Sequence, residues 1–550
     1  MDSEVVISSI GGFGRYQKIQ LAIFSVPWIG GGLQLALAIF ILRVPAFRCA
    51  IPGWENDTYK VQSDTHAWYI NHSLPSDNRK CKVYQFNYSD FNDWNSSKEV
   101  NCHAWVYDKS SVPSTAASDL NFVCHRTVFI STINMLLMAG VFVGSLFFGT
   151  FSDQKGRKLS LYLALLLSIV TVLPLYFVGS FEALATLRFF AGSSGASIFM
   201  VAFILAIEIV PHSHRSLVGL FSHIAFATGQ IAMAGIAYLI RDWHLLCLAA
   251  SLIFLPFFLY WFIIDESPRW LISNSKFEEA KDIFEKIAKR NKAVFTPSSL
   301  QQSQETTSQI TDQTKPTQKV SLFHLFKSRI LLIRCAIISF NWMVVNMVFF
   351  GLLFGVGELG LNIYFSTFLF AAVEFPAYIF LYFTLDRWGR KPLYCSLILL
   401  CGVACASSSF VYVWGKDLFG LTIFLALIGK FSVSGASTVI SNIASELLPT
   451  VIRNTAFGLC SCLGRLGGMS APYITLLSNY IPTKFGKSLP LILFGVAALI
   501  AGFLSLALPE TLGENLPDTI EDGEKFGRKE KDNATKENIA IITFKKYESM

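Results

Sequence analysis

The sequence carries little charge for its length. Only 15% of its 550 residues are Asp, Glu, Lys or Arg, whereas 53% are hydrophobic. A soluble domain averages about 25% charged residues, so this composition is typical of a protein that lies in a lipid bilayer. The net charge of +7 forms no basic stripe, which argues against a nucleic-acid partner.

Motifs for ATP-driven transport and for enzymatic chemistry are also missing. A P-loop needs G-x-x-x-x-G-K-[ST], and the nearest match, at Gly486-Lys487-Ser488, has Ile481 in place of the first glycine. The sequence has no His/Cys cluster with the spacing of a metal site and no nucleophile elbow. We therefore expect no metal, no cofactor and no catalytic residues.

Long hydrophobic runs dominate the chain instead. A helix that crosses a bilayer needs about 20 apolar residues, and runs of that length predict twelve membrane spans in an all-α membrane protein. The predicted spans lie near 19–42, 127–149, 159–178, 183–207, 216–240, 243–264, 330–354, 361–383, 392–414, 418–443, 455–478 and 488–508.

Short polar motifs repeat between the first six runs and the last six. Gly149 to Lys158 reads GTFSDQKGRK, and DRWGRK at Asp386 to Lys391 echoes it, with Tyr382 at the position of the first glycine. The pattern Glu208-x-x-Pro-x-x-x-Arg215 recurs as Glu446-x-x-Pro-x-x-x-Arg453, and Glu266-Ser-Pro has a looser counterpart in Pro-Glu510-Thr. Ordered pairs about 235 to 245 residues apart indicate a duplicated chain.

The distribution of Lys and Arg predicts the orientation of the spans. The short loops on one side carry most of these residues, and the positive-inside rule places that side, together with both termini, in the cytoplasm. The predicted division is a six-helix half at 1–264, a cytoplasmic helix and linker at 265–329 with its disordered part at 296–319, a second six-helix half at 330–508, and a cytoplasmic tail at 509–550.

The segment 43–126 is then a large extracellular loop between helices 1 and 2. It contains four glycosylation sequons, at Asn56, Asn71, Asn87 and Asn95. It also contains Cys49, Cys81, Cys102 and Cys124. Four cysteines in an oxidising compartment predict two disulfides, and three connectivities remain open.

The repeated motif GxxxDxxGR[RK] resembles the signature loops of the major facilitator superfamily. GGFGRYQ at 11–17, DESPRWL at 265–271 and ELLPTVIRN at 446–454 are similar to motifs of its organic cation, anion and zwitterion transporter branch. The overall run, which covers nearly the whole chain, is most similar to invertebrate organic cation transporter-like members. The resemblance implies twelve helices in two six-helix halves and a solute carrier of the plasma membrane.

The resemblance also implies a cytoplasmic gate made of ion pairs. Its members would be Asp153, Arg157, Glu208, Arg215, Asp386, Arg390, Glu446 and Arg453. On physical grounds, Gly149 would let helix backbones approach closely, and Asp153 would face the positive end of a neighbouring helix. The alternative is that the basic residues only fix topology, which would not explain the Gly-Asp-Gly spacing.

Ionisable and aromatic residues inside the spans predict the substrate site. Arg465 lies about 15 Å into its span, close to the midplane, and Lys430 and Glu374 lie at comparable depths. Trp342 and Tyr364 would wall the cavity, since a cation binds well over a ring face. The alternative for the charged residues is structural, with Glu374 neutralising Lys430 or Arg465.

The favoured function is alternating-access transport of organic cations or of carnitine-like zwitterions. At the position of Arg465, typical cation carriers of the resembling branch have an aspartate, whereas anion and carnitine-type carriers have an arginine. Organic anion exchange is therefore the alternative, and a sugar facilitator or a non-transport receptor is less favoured. The substrate would be a small organic ion, and a coupling ion cannot be identified from the sequence.

Overall fold

Twelve long helices form the membrane part of the protein. The structure, a computed structural model, describes residues 3–76, 78–84, 98–110, 112–295, 328–355, 357, 362–415, 418–481, 483–514, 517 and 519–527. Among these residues, eleven helices are long and apolar enough to cross a membrane. They are span 1 (Arg15–Ile41), span 2 (Cys124–Lys155), span 3 (Arg157–Phe177), span 4 (Phe181–Glu208), span 5 (His212–Leu239), span 6 (Trp243–Ile263), span 7 (Arg329–Phe354), span 8 (Ile363–Trp388), span 9 (Arg390–Trp414), span 10 (Gly420–Leu447) and span 12 (Phe485–Ser505).

The remaining long helix is span 11, Arg453–Tyr480. It has 28 residues and is therefore about 42 Å long, enough to cross a bilayer. It is less apolar than the others because it carries Arg465 and many small and polar residues. It packs against spans 7 and 2 rather than standing apart, which gives its polar residues protein neighbours.

Prolines interrupt three of the spans. Span 8 consists of the helices Ile363–Ala372 and Glu374–Trp388 with a break at Val373. Pro376 has no N–H to donate to the carbonyl four residues earlier, which accounts for the break. Spans 3 and 6 end in 3₁₀ turns that contain prolines, at Leu173–Phe177 and Leu255–Leu259. The break in span 8 occurs about 15 Å from its start, near the middle of the bilayer.

Glycines set the packing within each half of the bundle. Spans 1 to 6 form the N-terminal half and spans 7 to 12 the C-terminal half. A side-chain carbon at Gly229 of span 5 would collide with the carbonyl of Ile29 in span 1, and one at Gly467 of span 11 would collide with the carbonyl of Met343 in span 7. The two helix pairs occupy the same place in the duplicated order, so each half is built around an equivalent close contact.

Short helices cover the end of the bundle that carries the GTFSDQKGRK motif, which we call the motif end. These are Ser3–Ser9, Pro268–Ser273, Phe277–Asn291 and Ile520–Lys525. Asn291 accepts the backbone N–H of Tyr16 at 2.9 Å and donates to the carbonyl of Ile10 at 3.0 Å. Arg334 of span 7 donates to the carbonyl of Gly523 at 2.6 Å. The predicted linker at 296–319 lies outside the described residues.

The loop between spans 1 and 2 lies at the opposite end, which we call the loop end. Strand β1 (Phe47–Cys49) pairs with β4 (Trp105–Tyr107), and β2 (Lys82–Tyr84) pairs with β3 (Glu99–Asn101), both antiparallel. Disulfides join Cys49 to Cys102 and Cys81 to Cys124. The structure thus selects one of the three connectivities that the sequence leaves open.

A buried ion pair and one helix, Asp64–Ser73, complete the loop. Arg48 Nη1 lies 2.9 Å from Asp57 Oδ2, and His66 Nε2 lies 2.9 Å from Asp57 Oδ1. Trp243 Nε1, at the start of span 6, donates to Asp119 Oδ2 at 2.8 Å, which fixes the loop to the bundle. Two of the predicted sequon asparagines are exposed, namely Asn56 and Asn71; Asn87 and Asn95 lie outside the described residues.

Candidate functional site

The motif end of the N-terminal half holds a cluster of ion pairs around Arg157. This residue begins span 3, directly after Gly156, whose φ of +107° allows the sharp turn from span 2. Its guanidinium lies 3.1 Å from Asp153 Oδ1 and 3.3 Å from Glu208 Oε2. One arginine therefore joins the ends of spans 2, 3 and 4.

The C-terminal half repeats this cluster around Arg390. Arg390 begins span 9 after Gly389, whose φ is +91°. Its guanidinium lies 3.1 Å from Asp386 Oδ1 and 3.1 Å from Glu446 Oε1. Among the described residues, each of these ion pairs joins side chains of the same half, so the two clusters are separate in this conformation.

Two further glutamates complete the clusters at the helix N-termini. Glu266 Oε1 accepts the backbone N–H of Arg157 at 2.9 Å, and Glu510 Oε1 accepts that of Arg390 at 2.9 Å. An anion at this position satisfies helix N–H groups that have no partner within the helix. The prediction that Asp153 would occupy such a position is wrong. Asp153 pairs with Arg157 from one turn earlier in the sequence, and its side chain is 74% exposed.

The two glutamates differ in their proton affinity. Burial raises the pKa of Glu266 above its ordinary value, although three backbone N–H groups act to lower it. Burial also acts to raise the pKa of Glu510, but its hydrogen bonds with four backbone N–H groups outweigh that effect and lower the pKa. The same contact is therefore electrostatically favourable in one half and unfavourable in the other.

The other two predicted gate residues make different contacts. Arg215, at the start of span 5, lies 4.0 Å from Glu4 of the N-terminal helix. Arg453, at the start of span 11, donates from Nε to the carbonyl of Leu448 at 3.0 Å. The structure therefore brings six of the eight predicted gate residues into the two arginine clusters and places these two beside them.

A buried ion pair lies in the middle of the C-terminal half. Glu374 Oε1 and Lys430 Nζ are 2.9 Å apart, and both side chains are 0% exposed. Glu374 follows the break in span 8, eleven residues into the span, and Lys430 is at the same depth in span 10. Of the two partners that the sequence allowed for Glu374, the structure selects Lys430.

Three more side chains surround this pair. The ring of Phe349 in span 7 lies with its centre 3.2 Å from Lys430 Nζ. Tyr378 donates from its hydroxyl to Glu374 Oε2 at 3.3 Å, and Gln230 of span 5 donates to Glu374 Oε1 at 3.5 Å. We call Phe349, Glu374, Tyr378 and Lys430 the cation box. Since Gln230 belongs to the N-terminal half, the box lies where the two halves meet.

Arg465 lies in span 11 and is partly buried. Among the described residues, no carboxylate lies within 4.0 Å of its guanidinium. The adjacent Gly464 lets span 11 approach Trp342 of span 7, because a side-chain carbon there would lie 2.9 Å from Trp342 Cβ. Trp342 also packs edge-to-face on Phe457, with ring centres 4.8 Å apart. This tryptophan thus fills the contact between spans 7 and 11.

Tyr364 lies away from the other predicted substrate residues. Its ring stacks on Phe40 with centres 5.6 Å apart and meets Tyr238 at 5.7 Å. It is ten residues before Glu374 in span 8, about 15 Å along the helix. Ser131 of span 2 donates to the carbonyl of Pro472 in span 11 at 3.0 Å, also near the loop end. Contacts between the halves therefore close the loop end.

Sequence reasoning missed several residues of this region. Gln230 and Tyr378 carry no pattern that marks them, because an amide or a phenol inside a span is common. Arg188 did carry a signal, since it is an ionisable residue within span 4. It is 0% exposed, and its guanidinium nitrogens have no hydrogen-bond partner among the described residues. Within the same described residues, no group of three His, Cys, Asp or Glu side chains could hold a metal ion.

Known proteins resemble this chain along most of its length. The family model described as "Sugar (and other) transporter" matches residues 80–521. The "Organic cation transporter protein" of Drosophila melanogaster is 34% identical, with 96% of both chains covered. "Solute carrier family 22 member 2" of Homo sapiens is 30% identical, with 93% of this chain and 92% of that protein covered.

Solved structures of low sequence identity show the same fold. The proton:xylose symporter XylE, described as a major facilitator superfamily protein, superposes with a TM-score of 0.59 at 16% identity, covering 93% of this chain and 100% of XylE. An inward-open structure of XylE from E. coli gives 0.59 at 15% identity, covering 92% and 100%. The predicted twelve-helix fold is confirmed by this likeness, which at such identity concerns the fold alone.

Proposed function

Because this chain belongs to the sugar and other transporter family of the major facilitator superfamily, we propose that it carries organic cations across the plasma membrane by alternating access. Its relatives at 30–34% identity include proteins named organic cation transporter. The coupling ion, if one takes part, is not identified by any described contact.

Glu374 is the observation that carries this proposal. Away from the helix ends it is the only acidic residue in the twelve spans. A carboxylate that is fully buried at mid-membrane is costly unless it is paired with a cation. Beside it, Phe349 and Tyr378 supply the aromatic surfaces over which an organic cation binds favourably. Nothing of this kind would be needed to bind a neutral sugar.

The arrangement of the two halves supports alternating access. The loop end is closed by contacts such as Phe40 with Tyr364, whereas the arginine clusters at the motif end do not bridge the halves. This is the pattern of an inward-facing carrier if the motif end is cytoplasmic. The clusters around Arg157 and Arg390 then act as the gate, because they hold the span ends that must move together.

The proposed orientation places both termini in the cytoplasm and the disulfide-linked loop outside the cell. Lys and Arg residues of the short loops concentrate at the motif end, in agreement with the positive-inside rule. The two disulfides of the loop require an oxidising compartment. The exposed sequons at Asn56 and Asn71 are then accessible for glycosylation.

Zwitterions are a second candidate class of substrate, and Arg465 is the reason. Its guanidinium has no carboxylate partner among the described residues, whereas Glu374 and Lys430 neutralise each other. The site therefore carries one uncompensated positive charge, which favours a substrate with a carboxylate in addition to its cationic group. No comparison favours a purely anionic substrate, since the relatives cited above that name a substrate name organic cations.

Uptake of labelled tetraethylammonium into cells that express the protein tests the proposal. We expect saturable uptake that Glu374→Gln reduces by at least about tenfold, because the only buried carboxylate is lost. Glu182→Gln, an exposed change at the start of span 4, is the matched control and should retain uptake. All values are normalised to surface protein. Uptake of xylose or of an aromatic carboxylate without uptake of tetraethylammonium would overturn the proposal.

A further inference from the structure

The ammonium of Lys430 makes the contacts that a substrate cation would make. Its Nζ lies 2.9 Å from Glu374 and 3.2 Å from the centre of the Phe349 ring. A carboxylate on one side and an aromatic face on the other are the usual partners of an organic ammonium ion. We infer that Lys430 is a tethered occupant of the cation box, which a substrate displaces. This inference rests on the proposed function.

Glu374 has no room for a second cation while Lys430 is bound. Its Oε1 is shared by Lys430 and by the amide of Gln230, and its Oε2 accepts the hydroxyl of Tyr378. All members of the box are buried or partly buried. An incoming cation must therefore replace the lysine rather than join it. The four-carbon chain of lysine lets its ammonium swing away while the helix stays in place.

Gln230 connects this exchange to the movement of the halves. It is the only one of these contacts with Glu374 that comes from the N-terminal half, because Phe349, Tyr378 and Lys430 lie on spans 7, 8 and 10. Separation of the halves therefore removes Gln230 from Glu374 and opens the box to the space between them. The substrate reaches the box in that open arrangement.

The displaced lysine sets the substrate class. A buried ammonium that loses its carboxylate is strongly destabilising unless another anion replaces it. A substrate that carries both a cationic group and a carboxylate supplies that anion, since its cation takes Glu374 and its carboxylate takes Lys430. Every charge is then paired before and after binding. A simple monocation leaves Lys430 without a partner, so Lys430 selects zwitterions over simple cations.

Two labelled probes with the same cation separate these cases. Butyltrimethylammonium and (3-carboxypropyl)trimethylammonium share the trimethylammonium group and the chain length, and only the second has a carboxylate. We expect the wild-type protein to prefer the carboxylate probe. Lys430→Met should shift the ratio of the two uptakes towards butyltrimethylammonium by about tenfold or more, because no displaced charge remains. Lys430→Arg retains the charge and should retain the preference.

A second comparison covers the case in which Lys430→Met does not reach the surface. Glu374→Gln leaves Lys430 free to hold a carboxylate, whereas Glu374→Gln combined with Lys430→Met has neither charge. The combined variant should therefore take up less of the carboxylate probe, relative to the other probe, than Glu374→Gln alone. An unchanged ratio in both comparisons would overturn the inference. Failure of wild-type protein to take up these probes and tetraethylammonium would instead overturn the proposed function.

Discussion

Glu266 and Glu510 make the same contact in the two halves of the chain. Each carboxylate accepts, at 2.9 Å, the first backbone N–H of a span that begins after a glycine with positive φ. A side-chain carbon at Gly156 would lie 2.4 Å from Glu266, and one at Gly389 would lie 2.8 Å from Glu510. Glycine is required at both turns for its conformation and for the space that the carboxylate occupies. This explains why each polar motif is accompanied by a glutamate more than a hundred residues later.

The opposite pKa shifts of these two glutamates predict unequal effects of the same substitution. The ionised form of Glu510 is favoured in the fold, so Glu510→Gln should lower stability by about 1 kcal/mol at neutral pH. The ionised form of Glu266 is disfavoured by burial, so Glu266→Gln should cost less and can raise stability. The midpoint temperature of the detergent-solubilised protein measures both. Glu278→Gln, which removes an exposed carboxylate, is the control.

The pH dependence gives a second measurement of the same prediction. The contribution of Glu510 is fully present above its unfolded pKa of 4.5 and is lost as the pH falls through the lowered folded pKa. The gap between wild type and Glu510→Gln should therefore close in acid. For Glu266 the sign is reversed, because its raised folded pKa adds stability as the pH falls through it. Equal gaps for both variants at all pH values would contradict the assignment.

The arginine clusters should control the transport rate rather than substrate affinity. Arg157→Ala and Arg390→Ala each release two carboxylates from the end of a span. We expect each to lower the maximal rate by about tenfold while KM changes little, because the clusters bias the two states without touching substrate. Arg387→Ala removes an exposed arginine from the same motif and should retain the rate. A raised KM at unchanged maximal rate would place the clusters at the substrate site.

The disulfide pairing predicts which cysteine changes act together. Loss of a native disulfide typically costs about 2–5 kcal/mol, so Cys49→Ser should lower the amount of protein at the surface. Changing Cys102 as well should add nothing, because the pair is already broken. Changing Cys81 as well should add a second loss, because it belongs to the other disulfide. Cys401→Ser, a buried thiol in span 9, is the control. Additive losses for Cys49 and Cys102 would contradict the pairing.

The sequence was sufficient for the fold because repetition and hydrophobic length are local signals. It was insufficient for the partner of a helix N-terminus, since that partner is distant in the sequence. Asp153 lies one turn before Arg157 and so pairs with it, whereas Glu266, which is 109 residues later, reaches the N–H groups. Gly149 was expected to permit close helix contact, yet a side-chain carbon there would meet only Met200, at 3.4 Å. Gly144 makes that contact instead, against the backbone of Ser193.

The substrate residues show the same limit. Depth along a span could be counted, and this identified Glu374, Lys430 and Arg465 as mid-membrane charges. Depth does not give the direction in which a side chain points around the helix, so the partner of Glu374 remained open. The same uncertainty explains Tyr364, which lies on the right span but in the contact that closes the loop end. Rotation about the helix axis is set by packing between distant segments.

Arg465 provides the last prediction, which concerns the charge of the substrate. Its guanidinium contributes a positive potential in a region of low dielectric, so it disfavours simple cations and favours carboxylates. Arg465→Asp should therefore raise uptake of butyltrimethylammonium relative to (3-carboxypropyl)trimethylammonium. Arg465→Lys retains the charge and loses only the planar fork that grips a carboxylate through two hydrogen bonds.

The lysine variant separates a field effect from direct contact. Retained preference for the carboxylate probe in Arg465→Lys means that Arg465 acts through its charge, as expected if Lys430 holds the carboxylate. A loss as large as that of Arg465→Asp means that the guanidinium binds the carboxylate itself. Equal losses for both probes, measured per surface protein, would contradict a role in selectivity. Arg465 would then be structural, even though no carboxylate lies within 4.0 Å of it among the described residues.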